Sequence, residues 1–285
     1  MLMEKIDMRP FGHTETAVTI AGLGGEGVLR TYGRDIPAAA VIMEALQQGI
    51  GYYDCAHVYA DSERYYGAVW GRNPEKRQKI FQASKSASRD KKGALADLEK
   101  TLGRMRTDYL DLWQIHDVRT EKDLEEISGP GGALEAFVEA KDAGRVRYIG
   151  VTGHHAPNVL TRAVEQWPVD AVMMPINPVE EILGGFTTAT LPAARNKGLA
   201  IIGMKILGAA HFIQPAQGIT ASLLIRYALS QEITVGIVGC ASAAEVEILS
   251  GIGQRFQPLS PEEKQRLIAV FRPYARRLAY YRGEI

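Results

Sequence analysis

The sequence predicts an α/β chain folded as a (β/α)8 TIM barrel, with an N-terminal β-hairpin and an extra C-terminal helix. Three observations lead there. Short apolar or β-branched runs alternate with longer amphipathic ones eight times over, and sequential parallel strands need helical crossovers of that length. The runs are almost continuously apolar, as in Ala200 to Met204 and Thr234 to Val238, which suits a parallel sheet covered on both faces. No Ser/Gly-rich linker or low-complexity tract divides residues 1–285, so the chain reads as one domain. An open doubly wound sheet would satisfy the alternation too, but eight units in a row favour closure.

Along the chain, residues 6–20 alternate around Gly12 and His13 as a small hairpin would. Strands are expected over 18–23, 51–54, 79–84, 109–116, 146–152, 171–175, 200–205 and 234–238. Helices are expected to start near Pro37, Asp61, Lys91, Gly132, Pro157, Thr187, Thr220 and Ser242, and a last one to run from Pro261 to the end. The basic, aromatic run from Phe271 to Arg282 reads as a helix packing its aromatics on the barrel wall. Trp70, Trp113 and Trp167 read as packing residues, and Cys55 as a small buried side chain.

Composition excludes several functions. The 33 basic and 33 acidic residues cancel, so a nucleic-acid partner, held by phosphate neutralisation, is not expected. Two cysteines are too few for a disulfide framework or a thiolate metal site. The greasiest stretch, 198–210, is interrupted by Lys205 and too short to span a bilayer. The N-terminus has no apolar signal core. A reducing, cytoplasmic setting without a membrane partner follows.

Gly22-Leu-Gly24-Gly25-Glu-Gly27 matches G-x-G-x-x-G after a strand, with Asp54 further on. A dinucleotide turn of that type needs the glycines to open a helix onto the pyrophosphate. Here Val28 to Arg34 intervene before the helix signals at Asp35 and Pro37. The motif therefore reads as a flexible loop at the top of the first strand.

Asp54, Lys85 and His116 fall at the C-terminal ends of three successive strands, each 31 residues apart. Equivalent positions on neighbouring strands share the rim where barrels of this type place their active sites. Tyr59, five residues past Asp54, can fold back over it. A free phenol is a poor acid near neutrality, but a neighbouring ammonium lowers its pKa, and Asp54 would keep Lys85 charged. Tyr59 would then donate a proton to a carbonyl oxygen that His116 orients. No side chain supplies a hydride, so a redox cofactor is implied. A rival reading, a metal-dependent hydrolase built on His57, His116, His154 and His155, is disfavoured. His154 and His155 would point opposite ways on a strand, so no metal is expected.

At these residues the sequence resembles the aldo-keto reductase family. Tyr53-Asp-Cys-Ala-His-Val-Tyr-Ala-Asp-Ser-Glu63 is similar to its Asp/Tyr signature, Ala83-Ser-Lys-Ser86 to its lysine strand and Gln114-Ile-His-Asp117 to its histidine strand. Ile149-Gly-Val-Thr-Gly153 resembles the strand that holds the nicotinamide amide. The resemblance implies hydride transfer between a nicotinamide nucleotide and an aldehyde, ketone or sugar. Tyr59 would be the acid/base, Asp54 and Lys85 its tuners and His116 the carbonyl orienter. It implies a cofactor lying extended across the barrel top, near Gly24, Gly25, Thr152, Asn177, Lys205, Gly208, Gly239, Ser242 and Glu245. Met173 and Met204 stand where relatives carry an amide-binding Gln and a stacking aromatic. Some relatives with a similar Met-Lys strand carry a C-terminal ferredoxin-like domain, which is not expected here because no Cys follows Cys240.

NADP(H) is the cofactor that the resemblance implies. The segment from Gly239 to Leu249 contains no Lys or Arg, and Glu245 stands about where an Arg is expected, so NAD(H) is an alternative. Two other functions are compatible with the same residues: a nucleotide-binding sensor or regulatory barrel with little turnover, and an NAD-dependent sugar dehydrogenase working in the oxidative direction.

Overall fold

The computed structural model describes residues 5–283. Two short antiparallel strands, β1 (Met8–Pro10) and β2 (Ala17–Thr19), form the N-terminal hairpin. Eight parallel strands follow: β3 (Ala21–Gly27), β4 (Tyr52–Tyr53), β5 (Phe81–Ser86), β6 (Leu110–Ile115), β7 (Val146–Thr152), β8 (Ala171–Pro175), β9 (Ala200–Met204) and β10 (Val235–Cys240). They close into a barrel in chain order, with β10 pairing β3. Helices between successive strands form the outer ring, as the expected α/β architecture requires.

The barrel interior is filled by alternate residues of the strands, among them Tyr52, Phe81, Leu112, Met173, Ile202 and Val235. Their partners one residue along face the helices, which is the period-2 consequence of strand geometry. Phe11, at the tip of the hairpin, is fully buried against Phe81 and Tyr148, at ring-centre distances of 4.7 and 5.4 Å. The hairpin thus plugs the N-terminal end of the barrel and leaves the C-terminal mouth to the loops.

Three local expectations change. The segment 18–23 is not one strand: β2 ends at Thr19 and β3 begins at Ala21. The Thr19 hydroxyl donates to Ala21 O and accepts from Gly51 N, and Ile20 N donates to Asp7 O, so the chain leaves the hairpin and enters the barrel there. The glycine motif is not a flexible loop. All of it lies within β3, because its lack of side chains lets neighbours close in: a Cβ on Gly24 would meet Gly239 N at 2.9 Å, and one on Gly25 would meet the Tyr59 ring at 2.9 Å. The last helix, Pro261–Phe271, stops where Arg272-Pro273 removes a backbone donor, and short helical turns carry the chain to Arg282. Phe271, Ala275, Ala279 and Tyr281 are buried as packing residues, as are Trp70, Trp113 and Trp167. No helix among the described residues is long and apolar enough to cross a membrane.

Candidate active site

The mouth is organised by strand register. β4 pairs Tyr53 with Gln82, which sets Asp54 beside Ala83, and β5 pairs Lys85 with Gln114, two residues short of His116. Equal spacing in sequence therefore climbs two residues per strand rather than marking one level. That climb follows the stagger that closing a sheet into a tilted barrel demands. Asp54 and Lys85 nonetheless meet, because a lysine side chain is long enough to reach back down the step.

Lys85 is 1 % exposed and Asp54 1 %. The ammonium donates to Asp54 Oδ2 at 2.6 Å and to the Cys55 carbonyl at 2.7 Å. Two of its three donors are thereby fixed, and Nζ lies 5.0 Å from the centre of the Tyr59 ring. Burial works against the charge on Lys85, but Asp54 and Tyr59 outweigh it and the pKa is raised. Burial also raises that of Asp54 despite its lysine partner. The two close bonds from Nζ fit a charged lysine, and the ion pair is the form we adopt.

Tyr59 lies over this pair, with its ring edge-to-face against His116 at 5.5 Å and the Arg30 guanidinium 4.6 Å from its centre on a face. Its pKa is not lowered, as the sequence led us to expect, but raised above the ordinary 10.0. Burial is the largest influence and Asp54 and Glu26 add to it, against the opposing pull of Lys85 and Arg30. Among the described residues its hydroxyl makes no hydrogen bond. In structures without ligand, such bonds are often long and tighten only around the reacting molecule. Burial, followed by the charge of Lys85, lowers His116 to about 3. It is a neutral imidazole and can donate one hydrogen bond.

The other expected residues are arranged as follows. Thr152, at the end of β7, accepts the Asp117 N–H at 2.8 Å and keeps its own hydroxyl proton. Asn177 caps the helix Pro178–Leu183 through Oδ1, while Nδ2 donates to the Lys205 carbonyl and the Tyr281 hydroxyl, both at 3.1 Å. Lys205 follows β9 in a left-handed conformation, φ 55°, and burial lowers its pKa. Gly208, φ 52°, leaves room for the Phe212 ring, and Gly239 for the backbone of Glu26. Ser242 caps the helix Ala243–Gln254, and Glu245 turns back to accept from Ala241 N at 2.7 Å. Met173 is buried in the barrel interior and Met204 packs against it.

The four-histidine cluster does not assemble. His57 lies behind β5 against Glu63 and Asp97, while His116 faces Tyr59. His154 and His155 follow β7 in a loop rather than on a strand, so their rings do not alternate. They sit 4.4 Å apart, both turned to Asp117.

Sequence reasoning gave no individual site role to Arg30, Gln114, Asp117 or Tyr281. Arg30 lies in the segment read only as a break between the glycines and the next helix. Gln114 is fully buried on β6, with both amide atoms unpartnered; an amide two residues before a candidate catalytic histidine was the available signal.

The residues present fit a nicotinamide nucleotide on the chemistry of their donors. The Thr152 hydroxyl and the orphaned Gln114 amide supply groups of the kind a carboxamide pairs with. The ammonium of Lys205, which has no carboxylate partner among the described residues, is of the kind that phosphates take.

Comparison with known proteins agrees. Residues 22–215 match the aldo/keto reductase family. The chain is 24 % identical to L-galactose dehydrogenase of Arabidopsis thaliana over 287 residues, covering 86 % of this chain and 87 % of that one. It is 30 % identical over 149 residues to the uncharacterized oxidoreductase YqkF of Bacillus subtilis, a match covering 48 % of this chain and only 46 % of that one. Its fold superposes on the aldo-keto reductase AKR11C1 of Bacillus halodurans (holo form) with a TM-score of 0.78 at 20 % identity, covering 93 % and 96 % of the two chains. With the family match spanning most of its length, the chain belongs to the aldo/keto reductase family.

Proposed function

We propose that this chain, acting as one domain, transfers a hydride between a nicotinamide nucleotide and a carbonyl or alcohol substrate. The bound nucleotide supplies or accepts the hydride. Tyr59 gives the carbonyl oxygen its proton during reduction and recovers it during oxidation. Lys85, held charged by Asp54, faces the phenol and stabilises the phenolate left behind. Neutral His116 donates a hydrogen bond that fixes the carbonyl and shares its developing negative charge. Hydride plus proton converts the carbonyl to an alcohol, so the balance closes without another reactant.

The single observation that carries this reading is the buried Lys85–Asp54 pair, with the Tyr59 ring 5.0 Å from the ammonium and His116 at the edge of that ring. A buried charge pair in a rim position is costly to build for stability alone. We also propose that NAD(H) is accepted as well as NADP(H). Support comes from the start of the helix Ala243–Gln254, where the Glu245 carboxylate already holds a backbone N–H, so that a 2′-phosphate would meet a like charge and one donor fewer. Because an L-galactose dehydrogenase is matched over most of its length, aldoses and sugar lactols belong among the substrates tested. The experiment is fluorescence titration with NADPH and NADH, then turnover against a panel of aldehydes, ketones and sugars in both directions. Binding without turnover of any member would refute catalysis.

A further inference from the structure

We propose that Asp117, His154 and His155 form a binding site for a divalent transition-metal ion, of the zinc, cobalt or nickel type, on the loops that follow β6 and β7. Among the described residues this is the one group of three ligand-bearing side chains whose donor atoms all lie within 4.8 Å of one another.

The two loops are fastened to each other. Asp117 N donates to Thr152 Oγ1 and Val118 N to the Thr152 carbonyl, each at 2.8 Å. Asp117 is held at φ 56°, a left-handed conformation that few side chains adopt without such restraint. Arg89 donates to its carbonyl at 2.8 Å, and Arg119 binds Oδ2 through Nε at 2.7 Å. These bonds leave Oδ1 aimed at the two imidazoles.

Hydrogen-bond chemistry shows what is missing. His154 Nδ1 lies 2.8 Å from the Tyr281 carbonyl. A carbonyl only accepts, so Nδ1 carries the proton, and in the neutral ring Nε2 carries a lone pair. That Nε2 is 3.3 Å from Asp117 Oδ1, an acceptor facing an acceptor. His155 Nε2 is 3.8 Å from the same oxygen, and both His155 Nε2 and Asp117 Oδ1 are buried without a hydrogen-bond partner. Three electron-pair donors converge on one another, which is the arrangement a cation completes.

Size agrees with chemistry. Tetrahedral bonds of about 2.0–2.1 Å place ligand atoms roughly 3.3–3.4 Å apart, against 3.3 and 3.8 Å here. Two imidazoles and one carboxylate suit zinc, cobalt, nickel or iron rather than magnesium or calcium, which prefer all-oxygen shells. The Tyr281 carbonyl behind His154 is the outer partner that metal-binding imidazoles commonly have. Three protein ligands leave at least one coordination position open. The positive charges of Arg119 and Lys205 oppose a cation, so affinity below that of a closed four-ligand site is expected.

The test uses the full chain, stripped with chelator and titrated with CoCl2 and ZnCl2 by calorimetry, with visible absorption recording the cobalt coordination. The expected result is one saturable equivalent of each ion, a cobalt spectrum of low coordination number and no response to MgCl2. His155→Ala and Asp117→Asn should each weaken binding at least about 10-fold, and His211→Ala, on an exposed histidine elsewhere, should leave it unchanged. Thermal melts establish that each variant is folded; should Asp117→Asn fail to fold, His155→Ala alone decides, because no hydrogen bond depends on its Nε2. Absence of saturable binding to the wild-type chain, or undiminished binding by folded His155→Ala, overturns the proposal. Neither readout involves turnover, so the result is independent of the catalytic reading.

Discussion

Two arcs of the barrel mouth differ in how they are built. On the arc from β4 to β6, Asp54, Lys85 and His116 project from strand ends over a packed interior, and the Asp54–Lys85 pair is almost wholly removed from water. On the arc from β8 to β10, most of the expected cofactor residues, Asn177, Lys205, Gly208, Ser242 and Glu245, lie beyond the strand ends, and several already have structural tasks. Asn177 caps a helix and binds the tail, and Glu245 folds back onto its own helix start. Strand ends fix a side chain through ladder bonds on both sides, whereas a loop side chain takes whichever partner lies nearest. The first arc is accordingly fixed by its own bonds, and on the proposed reading ligand contacts on the second would depend on exchange of existing bonds.

The largest effect that would break this contrast comes from Tyr59→Phe. It should lower turnover by about 10²–10⁴-fold while nucleotide binding, read by fluorescence, stays close to wild type. Unchanged turnover would mean that the proton comes from elsewhere and that the first arc is not the reacting one.

Lys85→Met should destabilise the fold by about 3–5 kcal/mol by leaving Asp54 buried and uncompensated, measured by denaturant unfolding at neutral pH. Asp54→Asn combined with Lys85→Met should recover part of the loss; strict additivity of the two would deny their coupling. The pH profile adds a sign. Reduction requires the protonated phenol, and its raised pKa keeps that form past pH 10, so reductive turnover should fall only at more alkaline pH. In folded Lys85→Met, removal of the cation should displace that fall further upward, and a downward displacement would reverse the assigned role.

On the second arc, Tyr281→Phe removes the hydroxyl that pairs with Glu180 at 2.6 Å and with Asn177. Arg282 still binds both oxygens of that carboxylate, so a loss of about 1.5–3 kcal/mol, that of one hydrogen bond to a charged group, is expected, together with faster proteolysis of the tail. If the tail covers a nucleotide contact, the same variant will also change nucleotide affinity, and titration tests that directly. The smallest effect is that of Glu245→Arg, which should shift the NADPH to NADH affinity ratio toward NADPH by roughly 2–5-fold, the size of an exposed charge contact. An unaltered ratio would place the adenosine end away from this helix start.

Much of the molecule was legible in its residues. Apolar runs of strand length alternating with amphipathic ones located all eight barrel strands, since burial on two faces leaves a local trace. The group Asp54, Tyr59, Lys85 and His116 was legible because residue type and strand-end position coincide. The break at Ile20 was not, because it depends on bonds from Asp7 and Thr19 to distant partners. Nor was the place of the glycine motif within β3, which rests on the approach of Gly239 and Tyr59.

What the sequence determined by itself, then, is the alternation of elements, the N-terminal hairpin and the chemical kinds of side chain at the mouth, because these follow from local periodicity and from composition. Only the tertiary structure decided the direction of the Tyr59 pKa, the engagement of Asn177 and Glu245, and the convergence of Asp117 with His154 and His155. Each of those depends on how deeply a group is buried and on which distant atoms surround it, and neither quantity is encoded in any short stretch of chain.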